Sequence, residues 1–363
     1  MYDIYPCDVF APSVEEYERA ERSAVRVELG TRALFEVTGP DATELLQGQV
    51  TNDLAALAPG TGCYALLLTH KARVRADMRI VRLDDRDGAP LYLVESESFA
   101  RPVLAHMLTT AAVGLRARFR DLGERFQLIA LVGPHSDRFV ATPPAAREHA
   151  VSAADGGFAL RTYLGIDLLV PAGQAAVAPG DELRNGSRAL LECLRVEHGR
   201  ARLGIELGST VMPAEAGVVE RAVSFTKGCY VGQEPVARLH YRGRPNRLLR
   251  GLRLSGEAAP GATLVREGRE VGKVGTCVRS PRFGTIALAL VRREVEPHER
   301  VAVLPPPATD EEGSGRRSAG APTSDKAQAD ERPQVHAEVV ALPFRGDADG
   351  ASSAGVAGAR EGD

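Results

Sequence analysis

Tryptophan is absent from the 363 residues, and aromatic residues make up only 5% of them. Between residues 227 and 253 only Tyr230 and Tyr241 are aromatic, which argues against a base-stacking surface for single-stranded RNA. Cysteine is sparse and scattered. Cys7, Cys63, Cys193, Cys229 and Cys277 are odd in number and never form C-x-x-C. That excludes a disulfide scaffold and argues against a self-contained zinc finger or Cys-only cluster site, so no metal ligand set is expected. No apolar run approaches the roughly 18 residues of a membrane span. The first ten residues lack a basic segment followed by an apolar one, so no secretory signal is expected and the chain reads as cytoplasmic. Neither sign of charge dominates, with 45 Lys+Arg against 48 Asp+Glu and a net charge of −3. A generally basic coat for nucleic acid is thereby excluded, although a local patch is not. No period of 20–50 residues marks a repeat architecture.

What is present is ordinary for a globular chain: 44% hydrophobic and 26% charged residues. The length allows two or three domains and a sizeable core. Ser13-Val14-Glu15-Glu16 has capping-box spacing and predicts a helix to about Ala24. A strand over Ala33–Val37 leads to Gly39-Pro40. Asp41, three residues before Glu44, reads as the N-cap of a helix ending near Gly48. Gly62–Leu68, Val74–Leu83 and Leu91–Val94 read as strands, with a turn over Asp84–Gly88. Residues 98–112 read as a helix, and Gln127–Val132 and Phe158–Val170 as strand material. Leu190, Leu191 and Leu194 predict an amphipathic helix over Ser187–Glu197, stopped by Gly199. From Leu248 onward short strands alternate with turns, the pattern of a small antiparallel barrel or sandwich. Residues 305–334 contain no aliphatic side chain larger than Ala and are expected to be a disordered insertion; 345–363 is expected to be a disordered tail. Val335–Phe344 then reads as a strand that returns to the barrel. The organisation expected is a lead-in over 1–24, a main domain over 25–246, and a barrel from 247–304 and 335–344.

Standard catalytic signatures are missing. Gly268–Val274 only imitates a P-loop, with its glycine spacing one short and no Ser/Thr for magnesium. His135-Ser136-Asp137 sets triad residue types side by side, whereas triads assemble from distant segments. The most unusual segment is Lys227–Glu234 (KGCYVGQE), which places a cation, a thiol, a phenol, an amide and a carboxylate around two glycines. Lys227 near Cys229 would favour its thiolate; a small buried hydrophobe is the alternative fate of such a cysteine. A second polar cluster is Gln47–Asp53, containing Gln49 and Asn52, where an ordinary helix end and Asx turn is the alternative. Arg195-Val196-Glu197 and Pro213-Ala214-Glu215 offer carboxylates that could read an N–H-rich heterocycle, or solvated surface charge. From Lys227 to Arg253 seven Lys/Arg stand against one Glu, an excess that attracts an anion or pairs with acidic loops elsewhere.

Four segments in order, Gln47–Leu54, Arg195-x-Glu197 with Gly199, Pro213-x-Glu215 and KGCYVGQE followed by Arg238, resemble the YgfZ-type folate-binding proteins. These are relatives of the aminomethyltransferase T-protein of the glycine cleavage system. The resemblance covers about residues 25–304 and 337–344. It implies an α+β, T-protein-like fold with ferredoxin-like portions around a central folate cavity, plus a small C-terminal β-barrel. It implies tetrahydrofolate or a one-carbon derivative as cofactor, and a role in iron–sulfur cluster assembly or repair that keeps clients such as tRNA-modifying enzymes active. The partners implied are folate and iron–sulfur client or assembly proteins, with no membrane and no direct nucleic-acid binding expected. Cys229 corresponds to the motif cysteine, which the T-protein lacks, and Lys227 stands beside it. Gln49, Asn52, Arg195, Glu197, Glu215, Tyr230, Gln233, Glu234 and Arg238 are the candidate folate-binding residues. The T-protein uses an acidic pair in a G-x-x-x-D-D-type segment. Here Asp77 alone is acidic and Ala72 replaces the usual glycine, which weakens aminomethyl transfer without excluding it. A guess separate from the family is that Arg238–Arg253 holds a folate polyglutamate tail.

Overall fold

The computed structural model describes residues 10–154, 156–174, 183–306 and 335–344. The expectations for 307–334 and 345–363 lie outside the described residues. Helix α1 (Val14–Arg22) starts with the expected box: Ser13 Oγ accepts from Glu16 N, and Glu16 reaches back to Ser13 N. Then follow β1 (Val25–Gly30), β2 (Ala33–Thr38), α2 (Ala42–Gln47), β3 (Thr61–Leu68), β4 (Val74–Arg86) and β5 (Ala89–Ser96). A 3-10 turn leads into α3 (Arg101–Ala111), with Pro102 in its first turn, where a missing N–H costs nothing. Strands β6 (Arg118–Asp121), β7 (Phe126–Val132), β8 (Val151–Ala154), β9 (Gly157–Arg161), β10 (Gly165–Pro171) and β11 (Arg184–Asn185) precede α4 (Arg188–Glu197). The short α5 (Val219–Ala222) and α6 (Gln233–Arg242) lead to β12 (Arg247–Leu254), β13 (Thr263–Arg266), β14 (Arg269–Ser280), β15 (Gly284–Arg292), β16 (Arg300–Leu304) and β17 (Val335–Val340).

The strands form three units. One sheet has the order β3-β4-β5-β2-β6, a second has β11-β1-β7-β10-β9-β8, and β12-β15-β14-β13-β16-β17 close into a barrel. Strand β17 closes that barrel by pairing antiparallel with both β12 and β16. The two sheets are packed through a shared apolar layer. Leu34, Val81 and Leu93 of the first meet Leu128, Leu160 and Leu169 of the second. Helices α2 and α3 cover the other side of the first sheet through Leu45, Leu46, Leu104 and Leu108. A third layer joins α1, α4 and the barrel through Tyr17, Leu190, Val196, Val278, Ile286 and Leu288.

Three local readings are corrected. Asp41 is not a side-chain N-cap: its carboxylate binds the backbone N and guanidinium of Arg116, a long-range partner that spacing does not reveal. The predicted 84–88 turn shrinks, because β4 runs to Arg86 and only Asp87 and Gly88 take positive φ. Helix α6 was missed, since Gln233-Glu234-Pro235 reads as loop chemistry. Among the described residues no helix is long and apolar enough to cross a membrane.

Candidate functional site

A cavity of about 430 Å³ opens between the two sheets, walled by β4, β5, β7, β10, α4 and the 200–203 loop. Strand periodicity puts Asp77 and Arg79 on one face of β4. The β4–β5 register sets Glu95 directly opposite Arg79. Arg79 then spans the sheets, bonding Glu95 at 3.2 Å and Asp167 of β10 at 3.0 Å. Arg32 bonds Glu95 and Glu97, each at 2.6 Å. On α4, Glu192 and Arg195 are one turn apart and joined at 2.8 Å, and Arg202 bonds Glu192 at 2.9 Å. These pairs set the charge states. Against the upward push of burial, Arg32 and Arg79 hold Glu95 below the usual carboxylate range, and Arg195 and Arg202 do the same for Glu192. For Asp167 burial wins over Arg79, so its carboxyl titrates above the ordinary range.

One corner of the cavity differs. Asp77 has no ion pair among the described residues and instead accepts from the Tyr64 hydroxyl at 2.7 Å. Burial, opposed by that hydrogen bond, pushes its carboxyl up to about 6. Arg221 lies over the Tyr64 ring at 4.3 Å. His149, also on the wall, is pushed down to about 3 by burial and by the Arg79, Arg221 and Arg200 charges, so it is neutral at pH 7.

Of the residues chosen from sequence, Asp77 and Arg195 line this cavity. The others lie elsewhere. Glu197 is buried behind α4, where its side chain accepts from Tyr17, Cys193 and Ser280. Glu215 is a staple that binds Arg73, Arg247 and the Met212 backbone N. Asn52 clips β3 to α5 by donating to Tyr64 O and Arg221 O. Gln49 is half-buried beyond the end of α2. Lys227 is buried, and its amine donates to Gln47 O, Val50 O and Asn52 O. Burial pushes that amine down to about 8. Tyr230 is buried beside it, with the Lys227 ammonium 5.2 Å from its ring centroid. Cys229, Glu234 and Arg238 are exposed, and Gln233 opens α6. In the basic stretch, Arg247 pairs with Glu215 and Arg250 with Glu296, while Arg242 and Arg244 are exposed. The cavity acids Glu95, Asp167 and Glu192 were missed. Each lies in an apolar-flanked strand or helix, and only long-range register brings them together.

The chain matches the GCVT N-terminal domain model over residues 3–156. It is 29% identical over 306 residues to an aminomethyltransferase of Streptomyces coelicolor, covering 76% of this chain and 81% of that one. It is also 29% identical over 292 residues to the mitochondrial iron–sulfur cluster assembly factor IBA57 of Mus musculus, covering 73% and 77%. The solved glycine cleavage aminomethyltransferase T of Bartonella henselae has the same fold, with a TM-score of 0.74 over 94% of this chain and 90% of that one at 21% identity. Two interleaved sheets closed by a C-terminal barrel are thus the T-protein architecture. Residues 3–156 carry the likeness to the GCVT N-terminal domain, and the chain is similar both to aminomethyltransferases and to an iron–sulfur cluster assembly factor.

Proposed function

We propose that this chain is a folate-dependent factor in iron–sulfur cluster assembly or repair, with a reduced folate held in the inter-sheet cavity. The cavity volume lies in the small-molecule range, and its lining fits a pterin: carboxylates for ring N–H groups, with Leu128, Ala130 and Leu131 as apolar wall. Bound there, the folate supplies a one-carbon unit. Asp77 and Asp167 accept N–H groups, and Arg195 orients the rim of the site while Glu192 and Glu206 hold it.

The observation that carries the assembly reading is Cys229. Among the described cysteines it alone is exposed. It stands two residues from Lys227, whose three bonds fix the loop to the end of α2. A thiol presented to solvent on an anchored loop suits an encounter with a sulfur- or iron-bearing partner, and likeness to the mouse assembly factor supports that direction. The test is calorimetric binding of tetrahydrofolate to wild type and Cys229→Ala, with iron–sulfur enzyme activity measured in cells lacking the gene. Binding by both with activity lost only in the variant is expected. Absence of folate binding by wild type overturns the reading.

Asp77 favours a second reading, aminomethyl-type transfer to tetrahydrofolate. A carboxyl that titrates near 6 at a cavity wall suits general acid–base work. Under it, Asp77→Asn abolishes tetrahydrofolate-dependent release of a formaldehyde-level carbon from a methylamine donor, and Cys229→Ala does not.

A further inference from the structure

We propose that Arg221 forms a carboxylate-binding subsite in the cavity, with Tyr64 as its platform. Every other arginine that lines the cavity already has a partner. Arg32, Arg79, Arg195, Arg200 and Arg202 pair with Glu95, Asp167, Glu192, Glu148 and one another's acids. Arg188 is spent on the backbone oxygens of Glu28 and Leu29. Arg221 has no carboxylate within ion-pair distance among the described residues; its guanidinium lies over a tyrosine face instead. Its backbone is fixed, because Asn52 bonds Arg221 O and Tyr64 O together. The Tyr64 ring is fixed in turn by its hydroxyl bond to Asp77. The cation is thus preorganised on a rigid platform with its donors uncommitted. The neighbouring His149 is neutral at pH 7, and the nearby Arg79 and Arg200 are held by Glu95, Asp167 and Glu148.

A planar guanidinium with free donors selects a carboxylate through two parallel charge-assisted bonds. The carboxylate has two sources: the glutamate of a folate held as proposed above, or a separate small carboxylate such as an amino-acid donor. The inference rests on the folate reading only for the first source.

The test is calorimetry on the full chain with three probes: tetrahydrofolate, its glutamate-free analogue tetrahydropteroate, and sarcosine. Each is titrated into wild type, Arg221→Met and Arg221→Lys, with circular dichroism confirming the fold. Met preserves an apolar stem over Tyr64 and removes the charge together with its N–H donors. A carboxylate probe that weakens about ten-fold or more in Arg221→Met and recovers in part in Arg221→Lys is the expected result. If tetrahydrofolate binds better than tetrahydropteroate in wild type and the advantage vanishes in Arg221→Met, the anion is the glutamate. If the two folates bind alike and sarcosine alone depends on Arg221, it is a separate carboxylate. Sarcosine binding that depends on Arg221 without any folate binding upholds the subsite while the folate reading fails. If neither tetrahydrofolate nor sarcosine changes affinity in Arg221→Met, the subsite is overturned, whether or not folate binds.

Discussion

The hydroxyl of Tyr64 donates to Asp77 Oδ2 at 2.7 Å, and this bond does not offset what burial does to the carboxylate, whose titration lies near 6. The consequence is a pH-dependent cost. Below about pH 3.8 the carboxyl is protonated in folded and unfolded chains alike. Between there and pH 6 the folded chain keeps a proton that the unfolded chain has lost, so this group lowers stability as pH rises through that window. The full cost is present above pH 6 and is at most about 3 kcal/mol, less where cavity water reaches the carboxylate. Asp77→Asn therefore unfolds at higher urea than wild type at pH 7.5 and at nearly the same urea near pH 4. A difference independent of pH would refute the account.

Much of this corner was legible before any fold was known, and the reason is local. Partial alternation in Val74–Leu83 announced a strand, and Asp77 was the one acid in the segment. Ala72, noted as standing where a glycine is usual, takes a left-handed φ of 57° in the tight turn before β4. The remainder of the cavity was not legible. Glu95 faces Arg79 only through strand register, and Asp167 meets Arg79 only because two sheets pack. Glu197 and Glu215 were read as ligand-facing because a carboxylate in a motif looks functional. Their partners, Tyr17, Ser280, Arg73 and Arg247, lie far away in sequence and turn both into internal struts.

The two glycines of KGCYVGQE have different duties. Gly232 takes φ of 84° as it enters α6, and a Cβ there would lie 2.5 Å from Thr69 O. Gly228 has open space around its Cβ position. Gly232→Ala is expected to cost about 1–3 kcal/mol in urea unfolding, through both strain and the clash. Gly228→Ala is expected to stay within about 0.5 kcal/mol, as for a substitution that meets nothing. Equal costs would refute this division.

Thiol reactivity separates Cys229 from its neighbours. Cys193 and Cys277 are buried, and burial pushes the Cys63 thiol up to about 12. In a Cys7→Ser background, one thiol per native chain reacts promptly with a bulky disulfide reagent, and Cys229→Ala abolishes that phase. Lys227→Met strands one buried and two part-buried carbonyls at and just beyond the α2 end without their shared donor. It is expected to destabilise by about 2–4 kcal/mol while the prompt thiol remains. Loss of the prompt phase in Lys227→Met, with the fold intact, would mean that the lysine acts on the thiol rather than on the loop.

Glu197 and Glu206 are both nearly sealed from solvent, yet they bear on the cavity differently. Glu197 ties α1, α4 and β14 together through Tyr17, Cys193 and Ser280, all neutral donors. Glu206 is 1% exposed and accepts from Arg195 on one side and from the backbone N and hydroxyl of Thr276 in the barrel on the other. Gly275 leaves room for it, since a Cβ there would come within 2.6 Å of Glu206 Oε1. Glu206 thus links the barrel to the arginine at the cavity wall, whereas Glu197 links it only to the back of the same helix. Glu197→Gln and Glu206→Gln should each destabilise by about 1–4 kcal/mol, because each disturbs a buried polar network. Only Glu206→Gln should also weaken tetrahydrofolate in calorimetry, by about ten-fold, as Arg195 loses a restraint on its position at the site. If Glu197→Gln weakens the ligand by the same factor, the back of α4 is part of the site after all. If neither does, the barrel stabilises the fold without orienting the cavity.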